Sequence, residues 1–113
     1  QDASSGVWQV SSGLYVIELS NGHIKVGRSI DIDRRMIAHA LDFKRQGISI
    51  VRHERFTSDM LTFTDLRRNE ERLILDMRFS RAVRHKNEIF SDVSFDAACG
   101  FAREAIKIEP YKS

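Results

Sequence analysis

Five side chains in this sequence have the types and spacing to do chemistry together. Tyr15 and Lys25 stand ten residues apart, and Arg35 and His39 are four apart, so the second pair shares one helix face. A phenol, an ammonium, a guanidinium and an imidazole converging from successive elements suit chemistry on a phosphate. The fifth is Glu70, at the centre of the apolar pattern Phe63, Leu66, Leu73, Ile74 and Met77. A carboxylate there is costly unless it is paired or bound to a cation. Two readings of it are open: a metal ligand, or an ion pair with an arginine such as Arg35. Glu71, toward the flank of the stripe, is the alternative acid.

The elements that must position these groups follow from local signals. Val16, Ile17, Leu19, Ile24 and Val26 supply strand character, and Asn21-Gly22 between them is a strong hairpin signal. In such a hairpin Tyr15 and Lys25 are expected close to opposite one another. Gly27 ends the second strand, and Asp31 is a good N-cap for a helix over 32–46, with Gly47 as its stop. Ile32, Met36, Ala40 and Phe43 make that helix's stripe; His39 falls within it and Arg35 on its edge, while Arg34 points away. A histidine simply tucked against the sheet is the other reading of His39.

Residues 48–56 read as a third strand, on which His53 is a surface residue, and 57–63 as a connection. A second helix is expected from Thr62, as N-cap, to Phe79, with Asp65 completing a capping-box-like start. Residues 80–86 read as a basic linker, followed by Asn87-Glu88-Ile89-Phe90. Ser94 caps a last helix over 95–108, stopped by Pro110, with Phe95, Ala98, Cys99, Ala102, Ala105 and Ile106 on its buried face. Val7, Trp8 and Val10 could add a short lead-in strand. The expected fold is thus α/β (α+β): a small three-stranded antiparallel sheet flanked by three helices.

Gly13-Leu14-Tyr15, then Lys25-Val26-Gly27, then Arg35 and His39, resembles the GIY-YIG nuclease superfamily. Leu14 replaces the usual isoleucine. Lys25, where a second tyrosine usually stands, points to the lysine-type branch found in phage open-reading-frame domains. The resemblance implies a metal-dependent endonuclease that hydrolyses phosphodiester bonds, with Tyr15, Lys25, Arg35, His39 and Glu70 catalytic. Glu70 would hold Mg²⁺ or another divalent ion such as Mn²⁺. Tyr15 would orient or deprotonate the attacking water. A free tyrosine has a pKa of about 10, and Lys25 is expected to supply the positive charge that lowers it. Arg35 would stabilise the phosphorane-like charge, and His39 would move a proton or bind the phosphate. Asn87 is the counterpart of an asparagine that some members use.

Charge distribution agrees with a phosphate-backbone partner. Lys25 to Arg55 holds eight Lys/Arg against four acids, although the whole chain carries only +2. Arg28, Arg34, Lys44 and Arg45, with Asn87, are therefore expected substrate contacts; a merely solvated basic surface is the competing reading. DNA is favoured over RNA, and low sequence specificity is expected because no recognition insert is evident. The 113 residues suit one domain, expected over 7–113 behind a frayed, Ser-rich end at 1–6. No apolar run approaches the ~20 residues of a membrane span. The single Cys99 rules out an internal disulfide and fits a reducing, cytoplasmic setting. A start at Gln1 raises the expectation of further parent-chain domains. Three rivals remain: a non-catalytic nucleic-acid-binding module on the same fold, a nuclease toxin delivered into a target cytoplasm with an immunity protein as partner, and a plain interaction domain.

Overall fold

The computed structural model describes residues 12–57 and 63–107. The expected hairpin is present as β1 (Gly13–Leu19) and β2 (Ile24–Ser29). Its turn is closed by Gly22 N–H donating to the Leu19 carbonyl at 2.9 Å and Leu19 N–H to the His23 carbonyl at 3.0 Å. This four-residue turn sets the register: Tyr15 faces Gly27, and Lys25 faces Ile17. Tyr15 and Lys25 are therefore one diagonal step apart on the same sheet face, not directly opposite.

Helix α1 (Ile32–Arg45) begins where expected, with the Asp31 side chain accepting from Arg34 N–H. β3 (Ile50–Thr57) pairs antiparallel with β1. α2 covers Phe63–Phe79, and α3 covers Phe95–Ala105 with Ser94 as N-cap. Thr62, Val7, Trp8, Val10 and Pro110 lie outside the described residues.

Among the described residues the sheet has five strands, not the expected three: β4 (Val83–Arg84) and β5 (Ile89–Ser91) complete the order β3-β1-β2-β5-β4. The stretch read as a basic linker contains β4, a 3₁₀ turn at Lys86–Glu88 and β5. Elements of two and three residues are too short for a period-2 pattern to show. Phe90 is what docks them: fully buried, it packs into the core beside Leu14 and Val26.

The sheet is covered on both sides, which explains why β1 reads as a continuous apolar run rather than an alternation. Tyr15, Ile17 and Leu19 pack with Ile32, Met36 and Phe43 of α1. Leu14 and Val16 point the other way, into the larger core with Leu73 and Met77 of α2 and the buried face of α3, including Cys99. In α1 the stripe is completed by half-buried His39; Ala40 is exposed. Gly13 runs so close to β3 that a Cβ on it would overlap the Phe56 carbonyl oxygen.

One detail of the pairing makes a site possible. β5 meets β2 only at Ile24 and Lys25. Among the described residues no strand pairs with the rest of β2 on that edge, and Leu66 and Glu70 of α2 line the same cleft as Tyr15. Further along, Leu73 and Met77 return to the opposite core.

Candidate active site

A cleft of about 460 Å³ lies between α1, β2 and α2. Tyr15, Lys25, Arg35, His39 and Glu70 all line it. β1 supplies the phenol, β2 the ammonium, α1 the guanidinium and imidazole one turn apart, and α2 the carboxylate.

Tyr15 is 3% exposed and its hydroxyl lies 2.9 Å from His39 Nε2. The ring lies over Gly27, where a Cβ would stand 2.5 Å from Cζ and overlap the hydroxyl oxygen. The glycine of Lys25-Val26-Gly27 is therefore a place for the Tyr15 ring, not only the end of a strand. Burial pushes the phenol up to about 12, against the pull of Arg35 and Arg28. Arg35 is the larger of these two opposing pulls, and burial outweighs them both. Burial also pushes His39 down to about 4, helped by Lys25 and Arg35. At neutral pH the pair is thus a protonated phenol and a neutral imidazole. In the Nδ1–H tautomer the hydroxyl donates to Nε2.

Lys25 is 7% exposed. Burial lowers its ammonium pKa, while Glu88 and Glu70 oppose that. Glu88 is a cleft residue that sequence reasoning missed. It holds Lys25 Nζ at 3.9 Å and Arg84 at 2.8 Å. Its backbone is left-handed, with φ of 56°, a conformation that costs a non-glycine residue about 1 kcal/mol or more. The acid of Asn87-Glu88-Ile89-Phe90 resembles a family segment after the second helix, but no spacing rule places its side chain in the cleft.

Glu70 forms an ion pair with Arg28, its side chain 13% exposed. The arginine partner is Arg28, not Arg35. Glu71 faces solvent and pairs with Arg67 at 3.6 Å, so Glu70 is the acid in the cleft. Among the described residues no group of three or more His, Cys, Asp or Glu side chains is placed to hold a metal. Glu70 nonetheless offers hard carboxylate oxygens at the cleft wall, already balanced by a cation. Mg²⁺ is commonly held by one or two carboxylates together with substrate phosphates and waters. A carboxylate of this kind is chemically compatible with an ion of that class, for which Arg28 would have to yield.

The remaining substrate-contact candidates divide. Arg28 lines the cleft, and Arg34 lines a depression adjoining it. Lys44 and Arg45 are exposed beyond it, and Arg45 pairs with Asp42 at 3.4 Å. Basic composition does not reveal which way a side chain faces. Asn87 lies in the 3₁₀ turn beside Glu88.

No protein-family model, no curated protein and no solved structure matches this chain. Among the described residues no helix is long and apolar enough to cross a membrane.

Proposed function

We propose that this chain is a GIY-YIG-type endonuclease domain that hydrolyses phosphodiester bonds, in DNA in preference to RNA, with a divalent cation such as Mg²⁺ or Mn²⁺. The observation that supports it most is the hydrogen bond between buried Tyr15 and His39, in a cleft that also holds Arg35, Lys25 and Glu70.

Each residue's role follows from its state in the cleft. A phenol with a pKa near 12 is a poor anionic base at neutral pH. It is a good relay: its oxygen can take a proton from the attacking water as its own proton passes to His39 Nε2. A bound phosphate helps, because nearby negative charge favours the imidazolium. The water oxygen bonds to phosphorus, the bond to the leaving sugar oxygen breaks, and that oxygen takes a proton from solvent. Arg35, always charged and fork-shaped, stabilises the negative charge that grows on the phosphate oxygens. Lys25 adds a second cation from the sheet. Glu70 would hold the divalent ion, which supplies further neutralisation of the phosphate charge.

Incubation with plasmid DNA and with RNA, in Mg²⁺ and then in EDTA, tests the reading. Mg²⁺-dependent nicking of the plasmid is expected. Nucleic acid bound but left intact in Mg²⁺ and in Mn²⁺ would instead mark a binding module on this fold.

A further inference from the structure

A second depression, of about 450 Å³, opens from the candidate active site at the N-terminal end of α1. The two adjoin, with Ser29, Ile30 and Arg35 in the lining of both. The shared wall carries Ile30, which is 64% exposed. Of the exposed large hydrophobic side chains among the described residues, Ile30 is the one that lines both depressions. Arg34 and Ala38 also line the second depression. Asp31 also borders the depression, but its carboxylate caps the helix by accepting from Arg34 N–H at 3.2 Å. That acid disfavours a phosphate on the helix N-terminus itself and leaves the Arg34 guanidinium as the phosphate contact.

Resting on the nuclease reading, we propose that this shelf is the subsite for the nucleoside next to the scissile phosphate. Ile30 packs against the apolar face of its sugar and base, as aliphatic side chains do when they wedge against nucleotides. Arg34 takes the following phosphate, and Arg35 stands between the shelf and the reacting centre. The shelf thus offers one apolar contact beside two cations, the two kinds of group that a nucleoside and its phosphates call for. The lining shared with the cleft and the two arginines favour a nucleic-acid strand over a protein on the shelf.

Ile37 provides an internal control. It is equally exposed, at 65%, and lies on α1, whereas Ile30 precedes the helix N-cap Asp31; Ile37 lines neither depression. Binding is measured by fluorescence anisotropy with labelled single-stranded and duplex DNA in EDTA, so that cleavage does not intervene. Ile30→Ser is expected to weaken binding by about fivefold, a fraction of what full burial of such a side chain is worth. Arg34→Ala is expected to reduce the slope of log affinity against log salt by about one. Ile37→Ser is expected to bind as the parent does. Both isoleucines are exposed, so melting temperatures should stay at the parental value and serve as the folding check.

Parental binding by Ile30→Ser would overturn the subsite while leaving the nuclease reading intact. Binding weakened by Ile30→Ser in a protein that never cuts would sink the nuclease reading and keep the shelf as a nucleotide site. Sedimentation covers the other occupant: an oligomer dissociated by both Ile30→Ser and Ile37→Ser would make this face a contact between copies of the chain and end the proposal.

Discussion

Replacing Gly27 by alanine tests the geometry of the Tyr15 ring. At an extended position with room for a methyl group, glycine to alanine stabilises by about 0.4–1 kcal/mol through the unfolded chain. Here the added Cβ would overlap the Tyr15 hydroxyl and stand 2.5 Å from Cζ. The ring must shift or leave its rotamer, at about 1–3 kcal/mol. Losing the bond to His39 costs about 1 kcal/mol more. The strain wins, and Gly27→Ala is expected to destabilise by about 1–3 kcal/mol. The cause can be isolated with Tyr15→Leu, whose side chain lacks Cζ and the hydroxyl. In that background Gly27→Ala should be close to neutral or stabilising, giving a coupling energy of about 2 kcal/mol in a double-mutant cycle. Urea denaturation of the four proteins reads it. Effects that add within about 0.5 kcal/mol would show that Gly27 does not make room for Tyr15.

Two further outcomes follow from the same cleft. His39 titrates near 4 in the fold against 6.5 as a free side chain, so the unfolded chain binds more protons between those values. Stability should therefore fall as pH drops from about 6.5 to about 4, with no further loss from this group below that. The shift corresponds to about 3 kcal/mol at 1.36 per pH unit, which screening of a half-buried ring reduces to roughly 1–2. Urea midpoints of the parent and His39→Gln across that range measure it, and parallel curves would contradict the shift. Arg35→Lys keeps the charge but loses the fork, and should lower the cleavage rate by about a hundredfold with little change in melting temperature; parental turnover would remove Arg35 from the reaction.

Much of the site was legible because its signals are local. Asn21-Gly22 marked the hairpin, the four-residue spacing put Arg35 and His39 on one face, and the misfit of a carboxylate in an apolar stripe marked Glu70. What escaped depends on tertiary pairing. β4 and β5 are held by Phe90 in the core and by two pairs with β2, and nothing in so short a stretch repeats. That short pairing leaves the rest of β2, among the described residues, without a strand on that edge, and Glu70 of α2 lines the cleft. Glu88 enters the site through a left-handed backbone that only the surrounding fold imposes. The Tyr15 pKa went opposite to expectation because burial outweighs neighbouring charges, and burial depth is a property of the packed sheet and α1.

Cleavage by Glu70→Gln tests the central claim most directly. The substitution keeps the shape, and the Gln carbonyl oxygen can still accept from Arg28, so folding should survive with a loss of about 1 kcal/mol or less. Plasmid nicking in Mg²⁺, read beside a thermal melt and a binding isotherm, is the measurement. A folded Glu70→Gln protein that binds DNA at least as well as the parent and has lost cleavage by orders of magnitude is the expected result. A folded Glu70→Gln protein that nicks at the parental rate would contradict the account, since the acid in the cleft would then hold nothing that the reaction needs.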